Sequence, residues 1–181
     1  MSRVLSRRGA IAGAAAALAG CSTKYRPSNV PLTPHTPGAA ADLVILDRLL
    51  FHERYAIAAY SAAIPRLSRP AARAAVQFLA HELAHASELE GLIAQAGGKP
   101  ARPPAFYDLG RPEDERQLLG LLHAAERAQL RAYLDAVGRL TPARLRAAAA
   151  AILANEAQHT TVLRGELGLE PLPSAVVSAG E

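Results

Sequence analysis

Two short stretches of this chain carry residue types and spacing that could do chemistry: Glu82-x-x-His85 and Glu156-x-x-His159. Each lies in an Ala/Leu-rich helical pattern. On an α-helix, residues three apart sit about 60° apart around the axis and about 4.5 Å along it. A Glu and a His at that spacing aim at nearly one point. Each pair has an acid upstream, Glu53 and Glu126. Four carboxylates gathered in a dry helical interior would repel one another severely. Two divalent cations would balance the four negative charges, and two neutral imidazoles would complete the shell. One ion alone would leave excess negative charge. Carboxylates with imidazole nitrogen suit iron best, then manganese, with zinc a weaker fit and copper a poor one.

Stepping outward, four Ala/Leu-rich segments would position these residues. The first runs from Asp42 to about Leu67, with apolar spacing at Leu43, Leu46, Leu50 and Ile57. Ser68 is placed to cap a second, with Pro70 in its first turn and Gly97-Gly98 as its stop. Lys99 to Arg111 holds Pro100, Pro103 and Pro104 and cannot be helical throughout. Pro112-Glu113-Asp114-Glu115 opens a third segment, to about Leu140. Thr141-Pro142 opens a fourth, ending near Gly168. Residues 169–181 read as a loose tail.

The two halves repeat. Glu53-Arg54 with Ala59-Tyr60 matches Glu126-Arg127 with Ala132-Tyr133; Glu53 to Glu126 is 73 residues and His85 to His159 is 74. Two hairpins related by a pseudo-twofold axis need the second and third helices parallel. The connection must then travel the bundle's length. About fourteen extended residues reach roughly 46–50 Å, against about 42 Å for a helix of about 28 residues. A bundle whose acids merely decorate its surface would leave six potential ligands and an internal repeat as coincidences.

The first twenty residues read as an address. Arg7-Arg8 precedes a short Ala-rich run ending in Leu18-Ala19-Gly20-Cys21, too short to span a membrane. The Arg pair is a twin-arginine pattern, and Leu-Ala-Gly-Cys resembles a bacterial lipobox. The lipobox resemblance implies cleavage before Cys21 and lipidation of its thiol, and the twin-arginine pattern implies export of a folded protein, anchored at the bacterial cell envelope on its periplasmic or extracytoplasmic face. Residues 21–41, rich in Pro, Ser and Thr, read as a tether containing His35. Cys21 is the only cysteine, so an intrachain disulfide and a Cys-ligated metal module are excluded. The net charge of +4 is largely that of the leader: the rest carries 17 basic against 16 acidic residues, which gives no reason to expect nucleic acid as a partner.

Across residues 42–168, the six residues, their placement on four helices and the repeat resemble the ferritin-like di-metal carboxylate superfamily. The resemblance implies an all-α fold, a ferritin-like four-helix bundle with a long crossover between helices 2 and 3. Glu53 and Glu126 would bind one metal each. Glu82 and Glu156 would bridge both, and His85 and His159 would bind one each. In such relatives an acid just before the opposite Glu-x-x-His often accepts the ligand histidine's other N–H. Here those slots hold Asn155, expected to accept from His85, and His81, which either accepts from His159 in one tautomer or faces solvent. Tyr60 and Tyr133 follow Glu53 and Glu126 by seven residues. They are candidates for hydrogen bonds to the bridging carboxylates, for redox-active phenols, or for core tyrosines with satisfied hydroxyls. His123 is a candidate seventh ligand, whereas His52, Tyr55, Glu88 and Glu90 belong to the helix surface.

The resemblance implies a di-iron or di-manganese protein reacting with dioxygen or peroxide, of oxidase, peroxidase or ferroxidase type. It departs from rubrerythrins in having Gln129 where they carry a further Glu, and in lacking a Cys-rich electron-transfer domain. Manganese catalases are longer, and a lipid tether suits a storage cage poorly. The alternative is a tethered, non-catalytic bundle for metal homeostasis or partner binding. The membrane through Cys21, dioxygen or peroxide, and a second copy in a homodimer are the expected partners.

Overall fold

The computed structural model describes residues 39–174. The leader, Cys21, His35 and residues 175–181 lie outside the described residues. The described part forms α1 (Ala39–Ala63), α2 (Arg69–Gln95), α3 (Glu115–Arg139) and α4 (Ala143–Glu166), with a 3-10 turn at Ile64–Arg66 and no strand.

The boundaries follow from local chemistry. α1 begins three residues before Asp42 and stops short of Leu67. Pro65 has no N–H for the Ser61 carbonyl and its ring crowds that group, so the chain tightens into the 3-10 turn. Ser68 occupies the N-cap of α2, but its hydroxyl makes no cap bond. Its backbone N–H instead donates to Glu115 Oε1 at 3.0 Å, tying this end of α2 to the start of α3. Asp114 is the side-chain cap that does form, accepting from Gln117 N–H at 2.8 Å. Helices α2 and α4 end alike. Gly97 and Gly168 have φ of 82° and 72°, and the next N–H reaches back to Ile93 or Arg164. Glycine is the residue that reverses a helix end in this way without a Cβ penalty.

The connection from α2 to α3 travels along α1. Ala101 donates to Asp47 at 3.0 Å, Tyr55 to the Asp108 carbonyl at 3.4 Å, and Arg66 to the Pro112 carbonyl at 2.8 Å. The contacts advance together along both segments, so the crossover spans the bundle and α2 and α3 are parallel. Helix α1 packs on α2 and α3, and α3 on α4, whereas α2 and α4 touch along a short stretch only.

Alanine lets the helices approach closely, and two apolar clusters fill the interior. One contains Leu46, Leu50, Leu89, Ile93, Tyr133 and Leu145. The other contains Tyr60, Ala75, Phe78, Leu118, Leu122 and Leu163. The polar cluster lies between them, at mid-height. Leu43 and Ile57 are half-buried against the first cluster rather than central.

Candidate metal centre

Each helix contributes one fully buried glutamate: Glu53 from α1, Glu82 from α2, Glu126 from α3 and Glu156 from α4. His85 and His159 lie one turn beyond Glu82 and Glu156. Their ligand atoms form two groups, each within 4.8 Å: Glu53, Glu82, His85 and Glu156, and Glu82, Glu126, Glu156 and His159. Glu82 and Glu156 belong to both. Glu156 Oε1 stands 2.9 Å from His85 Nδ1, and Oε2 stands 3.4 Å from His159 Nδ1. His159 Nδ1 is also 3.2 Å from Glu82 Oε1 and 3.4 Å from Glu126 Oε2.

These atoms fit a pair of cations. Glu82 Oε1, Glu126 Oε2, both oxygens of Glu156, and Nδ1 of His85 and His159 are buried without a hydrogen bond of sound geometry. A buried polar atom left so costs about 1–3 kcal/mol. Six such atoms in two overlapping groups fit the donor set that a metal site would need. Carboxylate oxygen with two imidazole nitrogens suits iron or manganese.

The electrostatics make the same demand. Burial pushes the carboxyls of Glu53 and Glu126 well above the ordinary value of 4.5, and that of Glu156 upward, with neighbouring carboxylates adding to each shift. Burial acts on Glu82 in the same sense, but the close approach of His159 and Glu53 and the hydrogen bond from Gln129 outweigh it and hold its carboxyl below 4.5. Burial alone would lower His159; the carboxylates of Glu126, Glu156 and Glu82 around its Nδ1 win and push the imidazole up to about 11. Without bound cations, the cluster gathers protons.

An outer ring orients the carboxylates. Tyr60 of α1 donates to Glu126 Oε1 of α3, and Tyr133 of α3 donates to Glu53 Oε1 of α1. Of the alternatives for these tyrosines, bonds to the shared carboxylates are not what forms; both are buried with their hydroxyls satisfied. The tyrosines lie on α1 and α3 and face one another's glutamates, while the shared Glu82 and Glu156 come from α2 and α4. Burial raises both phenols well above 10, keeping them as donors. His81 does face the site: its Nδ1 lies 2.9 Å from His159 Nε2, and the rings stack 5.2 Å apart. Phe78 stacks on His159 at 4.1 Å. Asn155 is half-buried and makes no hydrogen bond to His85, correcting the expected contact. His123 joins neither group. Glu90 is on the surface, paired with Arg54 at 2.8 Å.

Sequence reasoning missed Gln129 as a working part of the site. It is fully buried, and its Nε2 donates to Glu53 at 3.1 Å and Glu82 at 2.6 Å. Its place three residues after Glu126, on the same face, was the available signal.

Four antiparallel-packed helices around a paired carboxylate–histidine cluster define a ferritin-like bundle. Residues 41–169 match the ferritin-like domain family, and the chain belongs to it. The fold is similar to that of a conserved hypothetical protein, rv2844, from Mycobacterium tuberculosis, with TM-score 0.70 and 18% identity over 78% of this chain and 100% of that one. It is also similar to ferritin-like, diiron-carboxylate proteins from Bacillus anthracis str. Ames, with TM-score 0.66 and 21% identity over 71% of this chain and 96% of that one. A third is the dodecameric thioferritin of Bacteroides fragilis, a bacterioferritin-related protein, with TM-score 0.67 and 19% identity over 72% and 86%. No curated protein matches the sequence.

Proposed function

We propose that this protein binds a dinuclear iron centre, with manganese as the alternative metal, and uses it for redox chemistry with dioxygen or peroxide. The convergence of six unsatisfied buried ligand atoms on two points carries this reading. The diiron-carboxylate description of the Bacillus anthracis proteins supports it. Two iron ions would supply a two-electron couple for reducing dioxygen or peroxide. The protein's part is to hold the shared Glu82 and Glu156 between the two positions. Tyr60 and Tyr133 fix the outer carboxylates, His81 orients the His159 ring, and the flanking apolar clusters exclude water.

The test is to load apo-protein with Fe(II) without oxygen and then admit dioxygen. Bound ferrous iron should be oxidised, with dioxygen consumed, faster than free Fe(II) at the same pH. Iron that stays bound and ferrous in air would instead support sequestration without catalysis.

The placement at the envelope rests on Arg7-Arg8 and the Leu18-Ala19-Gly20-Cys21 pattern. No helix among the described residues is long and apolar enough to cross a membrane, so the lipid on Cys21 would supply the anchor. Full-length protein should fractionate with membranes and C21S with the soluble fraction; equal partition of both would contradict lipidation.

A further inference from the structure

The twofold relation between the halves holds for all six candidate ligands and for Tyr60 and Tyr133, but it breaks at Gln129. The residue three after Glu126 is Gln129; the residue three after Glu53 is Ala56, which has no donor. The break falls on one side of the site only. Gln129 Nε2 occupies Glu53 Oε2 and Glu82 Oε2, while Tyr133 occupies Glu53 Oε1. Of the unpartnered atoms, Glu156 Oε1 lies beside His85 Nδ1 at 2.9 Å. Three others, Glu82 Oε1, Glu126 Oε2 and Glu156 Oε2, surround His159 Nδ1 at 3.2, 3.4 and 3.4 Å.

The histidines differ in the same sense. The His159 side chain is 1% exposed, stacks on Phe78 and lies within hydrogen-bond distance of His81. The His85 side chain is 13% exposed, its Nδ1 has no hydrogen-bond partner, and Asn155 does not steady it. Its place in the repeat is equivalent, but its surroundings are not.

We infer that Gln129 makes the two metal positions unequal, so that the Glu126–His159 position fills first and holds its ion, while the Glu53–His85 position is the weaker, exchangeable one. This rests on the dinuclear reading above and deepens it. The Gln129 amide must present N–H to the two carboxylates, because its oxygen there would face negative charge. Each N–H bond it gives draws electron density from a carboxylate oxygen and fixes that oxygen's direction. An ion at the Glu53–His85 position must use a remaining lone pair or displace the amide. Its neighbour across the twofold meets no such competitor. Such outer-sphere contacts change metal affinity by about 10–100-fold. The exchangeable position is then also the more exposed one, where an ion enters and leaves.

Cobalt(II), titrated into apo-protein and followed by its visible absorption and by calorimetry, tests this. Wild type should bind a first equivalent tightly and a second about 10–100-fold more weakly. H159A should lose the tight step, and H85A should keep it and lose the weak one. Q129L should strengthen the second step toward the first without moving the first. Should Q129L not fold, crystals of wild type holding a single equivalent of cobalt serve instead, with anomalous density expected at the Glu126–His159 position. Matching isotherms for H85A and H159A, an unchanged gap in folded Q129L, or equal density at both positions would overturn the inference while leaving a dinuclear site standing. Wild type that binds no cobalt would defeat the dinuclear reading itself, and the inference with it.

Discussion

Glu156→Gln is expected to empty both metal positions at once. Glu156 belongs to both ligand groups, with Oε1 at the His85 end and Oε2 at the His159 end. The amide presents one oxygen and no charge, so each position loses a charged ligand. The loss should exceed the roughly 10–100-fold expected of changes outside the ligand set. Metal retained after dialysis should fall from about two ions per chain, the number that balances four carboxylates, to none. Metal-free protein should respond in the opposite direction. Burial raises the Glu156 carboxyl, so ionising it at neutral pH costs stability. The substitution should therefore stabilise apo-protein by on the order of 1 kcal/mol. Metal analysis and thermal melts of both forms check the pair of effects. Equal metal content in wild type and variant would rule out a shared role for Glu156.

Chelating the metal from wild type should lower the melting midpoint substantially. An ion bound only by the native state stabilises it by about 2.7 kcal/mol at a free concentration 100 times its Kd. For a domain of this size that is on the order of 10 °C. The pH dependence should also reverse. The carboxyls of Glu53, Glu126 and Glu156 are raised by folding above 4.5 and the His159 imidazole above 6.5. Groups with raised values stabilise the fold fully below their unfolded pKa and lose that contribution as pH climbs through the folded one. Glu82, held low, acts in the opposite sense, but it stands against four. Apo-protein should thus lose stability as pH rises from about 5. Loaded protein should lose it as pH falls, because protons compete for the same ligand atoms. Melts at a series of pH values, with and without chelator, show whether the slopes differ in sign; parallel slopes would contradict the account.

The bundle was legible because its signals were local and repeated. The Glu-x-x-His spacing fixed a helical face twice, and proline and glycine marked the breaks between segments. The parallel placement of α2 and α3 followed from the internal repeat, with a connection long enough to allow it, and the contacts of Ala101, Asp108 and Pro112 along α1 bear it out. Contacts set by the third dimension were less legible. Tyr60 and Tyr133 share a face with their own glutamates, yet each bonds the opposite one, because that choice depends on how α1 meets α3. Ser68 has the residue type of a cap, but Glu115 from another helix takes its N–H. Gln129 looked like a departure from related proteins. Its bonds to Glu53 and Glu82 arise only when three helices meet.

The central claim is that four buried carboxylates and two histidines form two cation positions sharing Glu82 and Glu156. Anomalous diffraction at the iron edge, on crystals of protein loaded with Fe(II), tests it most directly. Two peaks are expected, one among Glu53, Glu82, His85 and Glu156 and the other among Glu82, Glu126, Glu156 and His159. Density without iron at either point, with the glutamates paired through shared protons, would contradict it.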